Sequence, residues 1–468
     1  MDIIQQLAQD FTEKIYERFF SDNVFNLGEL ARLVSDDCSA LAVRVIGEMI
    51  SIVNLAVRDD KQGRKDLGLS LKEKDRERIY LTDVGEIRFR RDYYTDSEGH
   101  YFYPIDHILG IEKYEKLSKN LSAGLVSEAA DVSYAKSAEI VTGSKVSRQT
   151  VHNAVKRVSV TEELSVPEEP REAEELHIYA DEDHVHMQRP GKKKGKSSRI
   201  VPLITVTEGT QKVGTNRNAT VNPIRFVSRS FSTAEVWDKA NAYLMTHYDG
   251  DKLKRVYIHG DGGKWIRRGL NIHAGAELVM DKYHFEKHLK TFSNRFPEVK
   301  VRKRIKDAIE KGDESKFREI MQELYDLSDS SELTEYIDEF TEYVKNNFGS
   351  IQSRYAKELP GSCTEGQISH VIAKRFSRTP MGWSKECLGR LAEARVHKIN
   401  GGTITAKNID AKHSNIVDYS AYVEKLISDS IAGAVDWSIF DREDPLIDTS
   451  APVVNWIKLL GRCQSLAV

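Results

Sequence analysis

Residues 254–266, KRVYIHGDGGKWI, carry the reading on which the fold turns. Val256, Tyr257 and Ile258 form a short apolar run, the pattern of a buried strand, which stops on Asp261. Gly260, Gly262 and Gly263 mark a sharp exit where something approaches the backbone closely. Asp261 therefore sits at a strand tip, where it either caps a helix beginning near Lys264 and Trp265 or holds a metal ion in a crevice. Two other acidic stretches bear on that choice: IYADEDHVHMQ at residues 178–188 and GSCTEGQISH at residues 361–370.

Upstream of Asp261 the pattern predicts strands over 177–188, 200–207 and 223–231 and a helix over 233–248. Downstream it predicts a short helix over 265–270 and a strand over 276–280. Three strands, helix, strand, helix, strand is the order of the ribonuclease H-like core, an α/β layer built on a mixed five-stranded sheet. From residue 283 to about residue 355 the pattern is wholly helical, with charge-rich amphipathic stretches such as KFREIMQELYDL and LTEYIDEFTEYVKNNF. A structureless loop of that length is improbable inside a compact domain, so the block reads as an all-helical insertion. The catalytic core accordingly occupies 176–282 and, after an insertion at 283–358, resumes at 359–400 with a helix carrying Glu365. Residues 401–468 read as a C-terminal helical tail.

The N-terminal region, 1–122, reads as a helical module to about residue 75, followed by period-two alternation over 79–103 that predicts short antiparallel strands. Residues 123–160 form a second unit: helices over 125–131 and 134–141, a Gly-containing turn, and a third helix capped by Ser147. Val151, Ala154, Val155 and Val158 fall on one face of that last helix and leave Arg148, Gln149, His152 and Asn153 on the other. This is the layout of a DNA-binding helix-turn-helix, and also of a helical hairpin that merely packs. The proline-containing acidic run at 161–175 reads as a linker.

Lys plus Arg at 69 against Asp plus Glu at 72 leaves a net charge of only −3, so any anionic partner must be met locally. Basic clusters occur at Lys192, Lys193 and Lys194 and at Arg302, Lys303 and Arg304, each either a phosphate-binding surface or a solvated face. Four scattered cysteines form no CxxC pair, which points to a reducing cytoplasm and away from a zinc ribbon. No uninterrupted apolar run approaches the roughly 20 residues of a membrane span, and the N-terminus has no signal-peptide pattern, so no membrane association is expected.

Two metal ions about 4 Å apart can activate a water or sugar hydroxyl on one side of a phosphodiester and stabilise the leaving oxygen on the other. Such a site calls for carboxylates at adjacent strand ends and one on a nearby helix, because Mg²⁺ prefers oxygen ligands. Asp181, Asp261 and Glu365 meet that demand, with Asp183 the alternative first acid because it shares a strand face with Asp181.

With those residues in place the chain resembles a DDE transposase of prokaryotic insertion sequences, most similar to the ISLre2 family, over nearly its whole length. The matching pieces are VGEIRFRRDYY, the helix-turn-helix, IYADEDHVHMQ, YIHGDGGKWI, VMDKYHFEKHL and SCTEGQISHVIAKRFSRTPMGW. One departure is Glu182, where the pattern has glycine after the first Asp. Asp281 and His284 form a DxxH pair similar to the C/DxxH signature of transposases with a helical insertion, and are either site-shaping or a structural cap with its histidine. His184 and His186 read as packing or phosphate-proximal groups. Arg375, Arg378 and Trp383 follow the Glu helix, where phosphate contact and stacking on a flipped base compete with a core role for the tryptophan.

The resemblance implies Mg²⁺ or Mn²⁺, two ions, held by Asp181, Asp261 and Glu365. It further implies double-stranded DNA (terminal inverted repeats and target) as partner, a homodimer or higher oligomer with the inserted helices as candidate contacts, and action at the nucleoid of a prokaryotic cell. A transposase-derived DNA-binding regulator and a structure-selective nuclease of the same fold are the alternatives.

Overall fold

The computed structural model describes residues 3–20, 26–160, 164–188, 197–215, 217–297, 300–357, 359–361, 363–379 and 381–410. It falls into two compact units, one covering the described residues up to Ser118 and the other Lys119–Ala411. Lys192, Lys193, Lys194 and the tail beyond Asp410 lie outside the described residues.

The first unit begins with α1 (Ile3–Phe20) and a long α2 (Leu27–Asp59), whose first turn is held by the Asn26 side chain accepting from the Gly28 amide. A short α3 (Lys61–Asp66) leads into β1 (Ser70–Leu81), β2 (Glu86–Thr95) and β3 (Tyr101–Phe102), an antiparallel sheet, and then α4 (Pro104–Ile108). The helical stretch expected to about residue 75 stops earlier, because Gly68 adopts a φ of +66° that a helix cannot contain. Ile50 of α2 packs on Ile87 and Phe89 of β2. The buried Asp92 of β2 accepts from Arg58 Nε at 2.6 Å and from the Asp75 amide at 2.9 Å, and its own amide donates to Asn54 Oδ1 at 3.0 Å, so α2 and the sheet are joined by a polar as well as an apolar seam. By length and composition α2 is also apolar enough to cross a membrane, which the search for uninterrupted runs misses because Arg44 and Glu48 break the run.

The second unit opens with α5 (Lys119–Ala129), α6 (Tyr134–Thr142) and α7 (Arg148–Val155). The expected boundary at 122/123 thus falls inside α5. Gly143 ends α6 in the left-handed region at φ +58°, and the Ser147 hydroxyl caps α7 by accepting from the Thr150 amide at 3.3 Å.

There follow β4 (Glu175–His186), β5 (Ser198–Thr207), a hairpin of β6 (Thr210–Gly214) and β7 (Arg217–Thr220) absent from the sequence reading, and a short β8 (Ile224–Phe226). Then come α8 (Thr233–His247), β9 (Arg255–Gly260), a 3₁₀ turn (Ile266–Asn271) and β10 (Ala276–Met280). The five-stranded sheet has the order β10-β9-β4-β5-β8. β4 pairs with β5, and β5 with β8, antiparallel, whereas β4 with β9 and β9 with β10 are parallel, so the sheet is mixed. Leu176, Ile178, Val256 and Ile258 face α8, where they meet Val236, Trp237 and Leu244. Alternation sends His177, Tyr179 and Asp181, and Tyr257, His259 and Asp261, to the opposite face.

The inserted helices are α9 (Lys282–Ser293), α10 (Val301–Glu310), α11 (Glu314–Asp326) and α12 (Ser331–Ala356). They share a core of their own that includes Phe285, Phe292, Phe317, Phe340 and Phe348, with Met280 of β10 joining it. α13 (Thr364–Ile368) continues through one π turn (Ser369–Ala373) into α14 (Lys374–Phe376), and α15 (Lys385–Ile399) follows.

Candidate functional site

Parallel register assembles the acids. Tyr179 of β4 lies opposite His259 of β9, and Gly260 of β9 lies opposite Met280 of β10. Two residues past the first pair stand Asp181 and Asp261, and one residue past the second stands Asp281, so three adjacent parallel strands carry an aspartate at matching positions, where β9 and β10 end and β4 runs on beside β5 to His186. The Asp281 amide donates to the Gly260 carbonyl at 2.8 Å, extending the ladder to that point. Asp281 was expected as an accessory residue; that its strand carries an acid like the other two could have been read from the same signal, an apolar run stopping on Asp.

The electrostatics follow from this crowding. Burial, with the neighbouring Asp261 and Glu182 carboxylates adding to it, pushes Asp181 up to about 7, while the Glu182 amide, donating to Asp181 Oδ1 at 2.8 Å, and His284 work against the shift. Asp281 is buried and caps α9, accepting from the Tyr283 and His284 amides at 2.8 and 3.2 Å. Its carboxylate also lies 3.5 Å from His284 Nδ1. Asp281 first, and then Asp181 and Asp261, raise the affinity of His284 for its proton. Asp281 thus caps α9, and the histidine beside it also feels the charges of Asp181 and Asp261.

Asp183, on the same strand face as Asp181, has one buried carboxylate oxygen with no hydrogen-bond partner among the described residues. Beneath the acids lies a neutral polar layer: His177 Nδ1 and His259 Nε2 are 3.0 Å apart, and Tyr179 stacks on His259 with centroids 4.6 Å apart. Burial lowers the proton affinity of both histidines. His184 and His186 are exposed near the end of β4.

Glu182, the departure from the family pattern, has a partner. The Trp265 indole donates to its carboxylate, and the Trp237 indole donates to the Trp265 carbonyl at 2.9 Å. The loop after β9 is thereby tied to the strand that carries Asp181. The glycines around Asp261 serve packing: a Cβ on Gly260 would meet the Ala180 carbonyl at 3.0 Å, and Gly262, at φ +87°, presses against Asn347 of α12. Arg267 donates to the Asn347 side chain at 2.8 Å and to the Asn346 carbonyl at 2.9 Å. The last inserted helix thus forms one wall of the Asp261 turn. Burial, with Asp261 and Asp281 nearby, pushes Tyr343 of this helix up to about 12. Nothing in the helical periodicity of the insertion singles out Tyr343 or Asn347.

Glu365 is exposed, on α13, which packs against β4. Two residues earlier the Cys363 thiol meets the Tyr179 hydroxyl, and Gln367 accepts from Arg225 Nε of β8 at 2.9 Å, so α13 lies over the sheet face that carries Asp181. Among the described residues no three His, Cys, Asp or Glu side chains stand close enough together to hold a metal ion. The structure brings Asp181 and Asp261 together, and among the described residues Glu365 joins them in no such cluster. Asp181 and Asp261 are hard, anionic oxygen donors, the kind that Mg²⁺ or Mn²⁺ takes.

On α7, Arg148, Gln149 and Asn153 are exposed and His152 partly so, with the Gln149 amide bonded to His152 and Asn153 at 3.1 Å each. Two proposed DNA contacts are corrected. Arg375 and Trp383 are interior: Arg375 Nε donates to the Ala129 carbonyl, its guanidinium lies 4.8 Å from the Trp383 ring, and Trp383 Nε1 donates to the Phe376 carbonyl. They join α14 to α5, and a base could reach neither without unpacking that junction. Arg378 is exposed beside Ser369. In the α10 cluster Arg302 pairs with Glu286 and Arg304 with Glu323, while Lys303 is exposed.

Comparison with known proteins places these features in a lineage. The model of a family described as "Uncharacterised protein family (UPF0236)" matches residues 20–413. A UPF0236 protein of Caldanaerobacter subterraneus subsp. tengcongensis, whose name joins eleven locus designations, is 32% identical over 88% of this chain and 87% of its own length. A second from the same organism, its name joining four, is 31% identical over the same shares. The chain belongs to the UPF0236 family.

Proposed function

We propose that this protein is a DNA transposase of the DDE type, a polynucleotidyl transferase that cuts and joins strands at the ends of an insertion sequence. One observation carries the reading: the parallel register of β4 and β9 sets Asp181 beside Asp261, where β9 ends, close enough for the Asp261 charge to be felt at Asp181. Three further features support it. The strand order, with three antiparallel strands followed by two parallel ones on the far side of the first, is that of a ribonuclease H-like core. α5 to α7 have the layout of a helix-turn-helix whose last helix presents Arg148, Gln149, His152 and Asn153. The relatives' names join eleven and four loci of one genome, as copies of a mobile element would.

In this reading Asp181, Asp261 and Glu365 would hold Mg²⁺ or Mn²⁺. The bound ions supply an activated water or 3′-hydroxyl and stabilise the leaving oxygen of the phosphodiester. A bound cation would favour the ionised form of Asp181, against the effect of burial. Asp281 keeps His284 oriented beside both acids, and the Glu182–Trp265 hydrogen bond ties the Asp261 loop to the strand that carries Asp181. α7 reads the inverted repeat through base edges in a major groove.

Purified protein with Asp261→Asn tests the reading: it binds repeat-end DNA like the wild type and fails to nick it in Mg²⁺. Retained nicking would remove Asp261 from the site. A DNA-binding regulator is the second reading, favoured by the exposed Glu365, which joins the two acids in no cluster among the described residues; wild-type protein that binds ends and cuts nothing in Mg²⁺ or Mn²⁺ would select it.

A further inference from the structure

The outer face of α9 carries side chains that neither the acids nor α7 explain. Asp281 caps this helix, and His284 in its first turn feels the charges of Asp181 and Asp261, so α9 starts at the acids and leads away from them. Phe285, Leu289 and Phe292 bury one side of it in the core of the insertion. On the other side Tyr283, Lys287 and Lys290, at steps of four and three, form a single exposed ridge, with Tyr283 59% exposed. Lys282 is exposed beside it.

The charge on this ridge has one sign. Every exposed Asp, Glu, Lys or Arg of α9 is a lysine, since its single acid, Glu286, is taken up by Arg302 and Lys306 of α10. Among the described residues none of the three lysines is in an ion pair. Lys287 and Lys290 stand three apart, a spacing at which like charges repel, and Lys282 lies in the first turn, where the helix dipole disfavours a cation. A merely solvated face relieves such costs with interspersed acids. The insertion instead sorts its charge by helix: on α12, which packs in the same core, the exposed charges from residue 331 to 342 are Glu332, Glu335, Asp338, Glu339 and Glu342. The basic helix is the one that begins at the acids, and an approaching polyanion relieves both of its costs.

We infer that the ridge holds an unpaired DNA strand adjoining the phosphodiester at Asp181 and Asp261, with a base stacked on Tyr283 and phosphates on Lys287 and Lys290. The inference rests on the reading of those acids as a strand-cleaving site. The Lys287 ammonium lies 6.0 Å from the centroid of the Tyr283 ring, so an aromatic face and a cation are presented together. That is the combination by which single strands are held without regard to sequence. Bases within a duplex already stack on one another and offer a tyrosine no free face, which makes the unpaired strand the fitting occupant. From Lys282 to Lys290 the helix rises about 12 Å, three or four steps of a stacked strand at about 3.4 Å each.

The test titrates the full chain, in EDTA so that nothing is cut, with a duplex carrying a short oligothymidine tail and with the same duplex blunt, read by fluorescence anisotropy. Y283A is expected to weaken binding of the tailed duplex by about 5- to 150-fold, and Y283F to bind it like the wild type. K287Q with K290Q should lower the slope of log K against log salt by about 0.7 for each lysine removed, on the tailed duplex and not on the blunt one. All three side chains are exposed, so melts of these variants should match the wild type. A tail of abasic sugar-phosphates should bind the wild type as weakly as oligothymidine binds Y283A. Equal losses on tailed and blunt duplex, Y283A binding the tail like the wild type, or a wild type with no preference for the tail would each overturn the inference. Because no cleavage is read, its failure is separate from that of the acids: wild-type protein that nicks DNA in Mg²⁺ while the ridge variants bind as it does would sink the ridge and leave Asp181 and Asp261 in place.

Discussion

Asp181 and Asp261 occupy equivalent positions on adjacent parallel strands, each two residues beyond the Tyr179–His259 pair. Nothing covalent or local in sequence joins them; 80 residues separate them along the chain, and β9 returns to β4 through α8. The consequences are measurable.

Without a cation, stability should depend on Asp181. Burial and its acidic neighbours push this carboxyl from 3.8 up to about 7 in the folded protein. Between those values the folded state keeps the proton and the unfolded state gives it up, so stability falls as pH rises, by at most about 1.4 kcal/mol per unit for this one group. Chemical unfolding in EDTA at intervals from pH 4 to 7 should show a shallower fall for Asp181→Asn than for the wild type. The stabilisation given by Mg²⁺ should grow as pH rises past about 7.

The tether between the two loops should be visible in Glu182. Glu182→Ala strands the Trp265 N–H and should cost about 1–3 kcal/mol in urea, with a shift in tryptophan emission. Glu182→Gln keeps an acceptor oxygen and should recover most of both. Equal losses in the two variants would mean that charge rather than the hydrogen bond does the work.

Gly262 and Gly366 form a contrasting pair. Gly262→Ala must hold φ at +87° and pushes into Asn347, so it should destabilise by about 1–3 kcal/mol. Gly366, in α13 with open space around it, should accept alanine at a gain of up to about 1 kcal/mol. Thermal melts of both variants decide the matter.

Trp383→Ala should lower global stability by about 3–5 kcal/mol, because the ring is interior. Arg378→Ala should leave the melt unchanged and weaken DNA binding, because this side chain is exposed. A tryptophan variant with a native melt and selectively lost DNA binding would return Trp383 to the surface role its neighbours suggest.

Arg148→Ala and Asn153→Ala on α7 should each cost about 1–3 kcal/mol in binding to repeat-end DNA and far less on unrelated duplex. Competition titrations at fixed salt measure that ratio. Equal losses on both DNAs would make these phosphate contacts.

The order of strands and helices from β4 to β10, the inserted helices and the cap at Ser147 were legible from local pattern, because each depends on neighbours within a few residues. The β6–β7 hairpin was missed since its polar residues carry no alternation, and β1 was entered late because Gly68 breaks the helix before the composition changes. Asp261 as a strand-tip acid was legible too, and its glycines were visible but not their use, which is to admit Asn347 and the Ala180 carbonyl.

By itself the sequence determined which strands carry an acid, since an apolar run stopping at Asp181, Asp261 or Asp281 is a one-dimensional pattern. Only the tertiary structure decided that Asp181, Asp261 and Asp281 take matching positions on adjacent strands, and that Arg375 and Trp383 are interior. The physical reason is register and burial: both are set by contacts between segments tens to hundreds of residues apart, and no local spacing encodes them.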